Sequence, residues 1–349
     1  MKILLISPLA PPVGGIATWT KLYLNSSITK DHDIDLVNTS VIGSRINNSV
    51  ESNLKDEFRR AFNICKMVKN KVKMNQYDIV HLNSSCSKLG IIRDLICVKL
   101  IKLKKIKLIL HCHCDTKYMV KGKFSNLIFR RLVNNADKIF VLNNSSKEHV
   151  DSLTNNVSII IPNFFDYNEF TNINCKKVSK TISKIIYVGH IVESKGCREI
   201  LEVAQKMQHI DFYLIGRVSK EIGSLNCSKN VKFLGEISKE NVIKHMMKSD
   251  ILLFPTYTEG FPNVVLEAMI CGLPIISTKV GAIPDMIEDK GGILVKVGSI
   301  NDIVDSIEKL ESSKIRGEMA LWNREKAYKY YTVDTVIDKI FKNYRVLKG

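Results

Sequence analysis

The chain has 349 residues, 45% of them hydrophobic, with 52 Lys and Arg against 35 Asp and Glu for a formal net charge of +17. That length exceeds one ordinary core and points to two domains, and eight prolines with 25% charged residues exclude collagen-like, mucin-like and disordered readings. The charge excess calls for an anionic partner such as nucleic acid, a phosphorylated substrate or a membrane surface, and residues 66–131 hold most of it, with 16 basic against 3 acidic side chains.

In chain order, short apolar runs rich in β-branched residues alternate with helix-length amphipathic segments, the pattern of parallel strands buried between helices. Strands are expected at 2–7, 34–39, 78–83, 107–113, 138–143 and 158–163, and again at 184–189, 211–216, 231–236, 250–255, 274–278 and 293–297. Between the two sets, Asp166 to Lys184 is polar and weakly periodic, with Asn168, Asn172, Asn174, Ser179 and Ser183, and reads as an interdomain linker. Residues 322–349 read as helix with a break near Tyr331 and Thr332, and Val333, Val336, Ile340 and Tyr344 mark one buried face. The expected architecture is therefore α/β, with two Rossmann-like doubly wound domains facing across a cleft at the carboxyl ends of both sheets.

Targeting signals are not expected. Pro8, Pro11 and Pro12 interrupt the short apolar start. No stretch reaches the roughly 20 apolar residues of a spanning helix, so membrane contact would be peripheral. Nine scattered cysteines without a CxxC pair suggest reduced thiols in the cytoplasm.

The most informative segment is TEGFPNVVLEAMICGLPIIST, residues 258–278. Gly260, Pro262 and Asn263 suit a tight loop, and Val264 to Ile270 continue as a helix. Glu259 then sits in the loop and Glu267 a little over one turn along the helix, with free backbone N–H groups between them. Such a helix end can hold a phosphate, and two carboxylates can accept from the paired hydroxyls of a nucleotide sugar. Spacing alone equally allows Glu259 to cap the helix and Glu267 to be solvated.

The wording of this segment resembles the EGFP-(x)4-EA-x2-CG-x-P signature of retaining glycosyltransferases of family 4, which have the GT-B fold. Further segments resemble the same family in the same order. Gly14 and Gly15 follow the first strand and stand as the glycine loop, where paired glycines let backbone approach a ligand closely. LILHCHCD (108–115) resembles the LHxHG pattern and puts His113 beside the transferred sugar, with Cys114 in place of glycine. Zinc is not expected from His111, His113, Cys112 and Cys114, since alternate strand residues face opposite sides. IIPNFFDYNEF (160–170) resembles the interdomain IPNGVD segment, with Phe164 replacing glycine. YVGHIVESKG (187–196) resembles the diphosphate-gripping segment: Lys195 matches its lysine, whereas His190 replaces the usual arginine. VKFLGEIS (231–238) resembles the base-cradling segment, with Gly235 allowing close approach.

The resemblance implies a metal-independent, cofactor-free hexosyltransferase that moves a sugar, by family frequency from a UDP-sugar, to a hydroxyl of a glycan or lipid-linked acceptor in bacterial-type surface polysaccharide synthesis. Residues 1–168, joined by helix 332–349, would bind the acceptor, and residues 184–330 the donor. Glu267 would hold the ribose, and Glu259 with the backbone of Gly260, Phe261, Pro262, Asn263 and Val264 the donor sugar. Lys195, with His190, would hold the leaving diphosphate, and His113, Lys195 and Glu259 form the expected catalytic set. A nucleotide-sugar 2-epimerase of the same fold is the alternative. A basic nucleic-acid-binding protein ranks lower, because no recognition motif is present and only 7% of residues are aromatic.

Two features remain. Asp31, Asp33 and Asp35 have DxD spacing but read as surface turn residues at a strand start. The segments 91–110 and 117–132 mix apolar residues, among them Leu95, Val98, Phe124, Leu127 and Ile128, with Lys99, Lys102, Lys104, Lys105, Arg130 and Arg131. The apolar residues are expected to pack on the sheet and the basic ones to rest on an anionic membrane surface.

Overall fold

A computed structural model describes residues 1–12, 14–40, 54–171 and 178–349. Asn172, Asn174 and Cys175 lie outside the described residues. The chain forms two compact units, one from Met1–Asp166 and Thr332–Gly349, the other from Tyr167–Tyr331.

The first unit runs β1 (Lys2–Ser7), α1 (Gly15–Asn25), α2 (Ser27–Lys30), β2 (Asp33–Asn38), α3 (Leu54–Met74), β3 (Ile79–Ser84), α4 (Lys88–Lys102), β4 (Lys107–Cys112), α5 (Thr116–Met119), α6 (Lys123–Asn134), β5 (Lys138–Val141), α7 (Asn144–Asp151) and β6 (Ile159–Ile160). Its strands are parallel in the order β2-β1-β3-β4-β5-β6. The central strands are mostly apolar because helices cover both faces, with His81, Asn83 and His111 among the buried polar exceptions. On one face Ile64 and Val68 of α3, Val98 and Ile101 of α4, and Phe129 and Leu132 of α6 are buried together. On the other, Trp19 and Tyr23 of α1 pack with residues from the far end of the chain.

The second unit runs β7 (Lys184–Val188), α8 (Cys197–Lys206), β8 (Asp211–Ile215), α9 (Lys220–Gly223), β9 (Val231–Gly235), α10 (Lys239–Met247), β10 (Ile251–Phe254), α11 (Asn263–Ile270), β11 (Ile275–Thr278), α12 (Ile283–Ile287), β12 (Gly292–Val295), α13 (Ile300–Lys309) and α14 (Ser313–Tyr330). Its parallel sheet has the order β12-β11-β10-β7-β8-β9. The backbone then turns at Tyr331 and Thr332 into α15 (Val333–Lys348), whose buried Val336, Ile337, Ile340, Phe341 and Tyr344 return to the first unit.

Several details differ from expectation. The strand at 158–163 shrinks to Ile159–Ile160, since Pro162 has no N–H to extend the ladder. The described part of the segment read as linker is held to the second unit: Glu169 pairs with Lys239, Phe170 is buried, and Asp250 accepts from Ser179 Oγ and Ser183 N. Asp35 is not a turn residue; it lies within β2 and accepts from Lys71 Nζ at 2.8 Å and from the Tyr77 hydroxyl. Of the three α6 residues expected to pack on the sheet, Ile128 is buried, while Phe124 and Leu127 are 68% and 48% exposed. Lys102 does not face outward freely, because its Nζ donates to Asp137 Oδ2 at 2.8 Å. Among the described residues no helix is long and apolar enough to cross a membrane, and the eight described cysteines are free of disulfides.

Candidate functional site

In open parallel sheets ligands bind where strand order reverses, because the loops there leave in opposite directions and open a crevice. In the second unit that point lies between β7 and β10. After β7 the chain passes His190 into a single 3-10 turn, Glu193–Lys195, closed by Gly196 at φ +72. A Cβ at Gly196 would lie 2.1 Å from the Pro255 carbonyl oxygen, so only glycine lets this turn close against the loop after β10.

That closure brings Lys195 to Glu259. Lys195 Nζ donates to Glu259 Oε1 at 2.5 Å and to the Thr258 carbonyl at 3.2 Å. Thr256 Oγ1 lies 3.4 Å from the same carboxylate oxygen. The loop is clamped from behind, where Ala282 N donates to Gly260 O at 2.9 Å and Gly281 adopts φ +54 with no room for a Cβ. Phe261 is buried edge-on against Tyr331, so it anchors the loop through its ring. Pro262 then opens α11 with no capping side chain and no acid in the first turn, leaving the positive end of the helix dipole beside the pair. Asn263 and Val264 form that first turn.

Glu267, on the next turn of α11, does not meet Lys195. It lies 3.6 Å from Lys239 at the start of α10, and Lys239 also donates to Glu169 at 2.5 Å. Burial pushes the Glu267 carboxyl above its usual range, with Lys239 pulling the other way. Against the pull of burial, Glu267 and Glu169 hold the Lys239 ammonium above its own range. His190 is exposed, and its imidazole has no hydrogen-bond partner among the described residues. Gly235 ends β9 at φ +68, with its carbonyl accepting from Gly216 N at 2.8 Å and open space where a Cβ would stand.

In the first unit the order reverses between β1 and β3, and a cavity of about 330 Å³ opens there, lined among others by Pro8, Gly14, Gly15, Asn83, Ser85 and Arg93. Gly14 precedes α1 in extended backbone, and neither Gly14 nor Gly15 has an atom within 4 Å of the Cβ position. His113, just past β4, is tied by its backbone N–H to Ser84 O at 2.8 Å and by Nε2 to Asn83 Oδ1 at 3.0 Å. Its ring lies 4.0 Å from that of His111 and 5.3 Å from that of Trp19. Burial, then the nearby His81, holds His113 down to about 3, and burial does the same to His81. Cys112 sits in the opposite core from the Trp19 cluster, so the His and Cys side chains do not converge.

Gly14, Gly15 and His113 thus belong to the first unit and the other expected site residues to the second. Sequence reading misses Asn83, Lys239 and Glu169. Asn83 has a faint signal, two residues beyond His81 and on the same face of β3; Lys239 and Glu169 come together only through folding.

Two parallel, doubly wound sheets with polar side chains gathered at their strand-order reversals define the fold class of the GT-B glycosyltransferases. Residues 171–330 match the family model described as glycosyl transferases group 1. The chain is 26% identical over 349 residues to an uncharacterised glycosyltransferase of Methanocaldococcus jannaschii, covering 95% of this chain and 94% of that one. It is 28% identical over 272 residues to an uncharacterised 41.2 kDa protein in the cps region of Klebsiella pneumoniae, covering 73% of each. Anabaena HepE in complex with UDP-glucose superposes with a TM-score of 0.74 at 16% identity, over 99% of this chain and all of that one. These likenesses support glycosyltransferase activity.

Proposed function

We propose that the protein transfers a sugar from a nucleotide-sugar donor, by preference a UDP-sugar, to a hydroxyl of a glycan or lipid-linked acceptor during surface polysaccharide synthesis, with retention at the anomeric carbon. The observation that carries this reading is the Lys195–Glu259 pair at the strand-order reversal, directly ahead of the uncapped start of α11. Departure of a nucleoside diphosphate builds negative charge on the leaving oxygen and positive charge on the sugar. A lysine and a helix start stabilise the first without a divalent cation, and Glu259 accepts from the donor sugar. Glu267 takes the ribose hydroxyls, Gly235 admits the base, and His190 adds a weaker phosphate contact than an arginine would. By the family resemblance, Gly14, Gly15 and His113 serve the acceptor and the transferred sugar.

The test is direct. Purified protein should bind UDP-glucose by calorimetry, and Glu267→Ala should weaken binding by about 1.5–3 kcal/mol, the worth of charge-assisted hydrogen bonds. Unchanged affinity in a folded variant overturns the assignment. Activity should persist in a chelator. Release of a 2-epimer from donor incubated alone would favour the epimerase instead.

The basic first unit is placed by this reading on the inner face of the cell membrane, in the cytoplasm, where free cysteines stay reduced. Exposed Lys99, Lys104 and Lys105, with Phe124 and Leu127 nearby in sequence, supply charge at about 1 kcal/mol per residue near anionic lipid. Sedimentation with anionic vesicles at low salt should pull the protein down, and Lys99, Lys104 and Lys105 changed to Ser should reduce it. Indifference to such vesicles would leave a soluble acceptor.

A further inference from the structure

A line of buried polar side chains in the first unit runs from His113 to the first turn of α1. His113 Nε2 meets Asn83 Oδ1 at 3.0 Å, Asn83 Nδ2 meets Ser7 Oγ at 2.8 Å, Ser7 Oγ meets Thr20 Oγ1 at 2.5 Å, and Thr20 Oγ1 meets the Ile16 carbonyl at 2.8 Å. Ser7, Thr20 and Asn83 are at most 2% exposed, so water does not substitute for any link.

The far end of this line has no choice of role, because a carbonyl oxygen only accepts. Thr20 therefore spends its single proton on Ile16 O. The 2.5 Å contact between the two hydroxyls needs a proton, which must come from Ser7. Ser7 in turn must accept from Asn83, which fixes the amide with Nδ2 toward Ser7 and Oδ1 toward His113. An acceptor at Oδ1 requires a proton on Nε2. Reversing any link would set two lone pairs face to face at 2.8 Å between Thr20 and Ile16.

We propose that Asn83 is a positioning residue: through this one-way chain it holds His113 as the Nε2–H tautomer, so that the ring meets a bound donor sugar as a neutral acceptor through Nδ1. Among the described residues Nδ1 has no hydrogen-bond partner. The sugar group opposite it must then carry a hydrogen, as a hydroxyl or an amide N–H does, whereas a carboxylate there would place lone pair against lone pair. The chain also ties the ring's orientation to the turn that carries Gly15 and Ile16, so the glycine loop and the histidine are set together. The donor-facing half of this inference rests on the placement of His113 beside the transferred sugar proposed above; the tautomer does not.

The experiment is nitrogen-15 spectroscopy of histidine-labelled full-length protein, with His113 assigned by His113→Gln. The ring should carry its proton on Nε2 in the wild type. Asn83→Leu, which keeps the volume but offers no acceptor, should abolish that single tautomer, and Ser7→Ala, which frees the amide to turn, should shift it toward Nδ1–H. A wild-type ring protonated on Nδ1, or a ring unmoved in both variants, overturns the proposal. Should Asn83→Leu fail to fold, the wild-type tautomer and Ser7→Ala decide alone. Calorimetry with UDP-glucose separates the two halves. A loss of about tenfold in affinity in Asn83→Leu supports the sugar contact, and a changed tautomer with unchanged affinity keeps the chain but removes His113 from the donor.

Discussion

The Lys195–Glu259 pair allows a quantitative test of the site. Its side chains are 26% and 16% exposed, between a surface pair, worth about 0.2–1 kcal/mol, and a buried one, where removing a partner costs about 3–5 kcal/mol. Lys195→Met and Glu259→Gln should therefore each destabilise the second unit by about 1–2 kcal/mol. The double variant should lose little more than either single, because the second change no longer strands a charge. Urea denaturation of the four proteins yields the coupling energy as the departure from additivity. The same set tests the division of labour toward the ligand. In Glu259→Gln the ammonium no longer has its 2.5 Å charged competitor, so UDP should bind about fivefold more tightly, roughly 1 kcal/mol, while UDP-glucose gains nothing because its sugar exchanges a carboxylate acceptor for a weaker neutral amide. Purely additive stabilities, or a UDP affinity that falls in step with that of UDP-glucose, would refute the reasoning.

Gly281→Ala places a Cβ 2.1 Å from the Glu259 carbonyl oxygen in left-handed backbone, and should cost at least about 1–2 kcal/mol while weakening UDP-glucose more than UDP, as read by calorimetry. Tyr344→Phe removes the hydroxyl shared by Tyr23 and His81 in the buried first-unit core, for an expected loss of about 1–3 kcal/mol in urea unfolding. A third expectation concerns pH. His81 and His113 are held at about 3 in the folded chain and return to about 6.5 when unfolded, so the unfolded state binds more protons between those values. The stability they lend is complete above pH 6.5 and falls below it by about 1.4 kcal/mol per pH unit for each ring. Denaturation midpoints measured from pH 7.5 to 5 should decline, and His81→Gln should flatten the slope by one proton; an unaltered slope in that variant would assign the decline elsewhere.

The strands were legible because both faces of each sheet are buried, which makes the central strands largely apolar, as in ILLI or IIYV. The break expected near Tyr331 and Thr332 falls just before α15, where the structure shows Thr332 Oγ1 capping the helix by accepting from Thr335 N. What sequence could not convey was the outward side of the helices. Phe124 and Ile128 share a helical stripe, yet one is exposed and the other buried, because the part of α6 that joins the core runs from Ile128 to Val133. Partnership across distant segments was equally hidden: Lys239 pairs with both Glu267 and Glu169, and Lys102 finds Asp137, through contacts that no local spacing encodes. Asn83 lay beside a recognisable histidine, but its task depends on hydroxyls in β1 and α1 that only the sheet order brings near.

The division of the chain bears on its synthesis. Residues 167–331 are contiguous and can complete their fold as soon as they leave the ribosome, whereas the unit begun earlier must wait for residues 332–349. Until α15 emerges, Tyr23, His32 and His81 lack their contacts with Phe341 and Tyr344 on one face of the first unit, with five apolar or aromatic partners still to come, each worth about 1.5–3 kcal/mol when buried. The nascent first unit therefore spends the whole translation of the second as a sticky half-product, and a ribosome that stalls late or a chain clipped near Tyr331 would leave that face to chaperones or to aggregation.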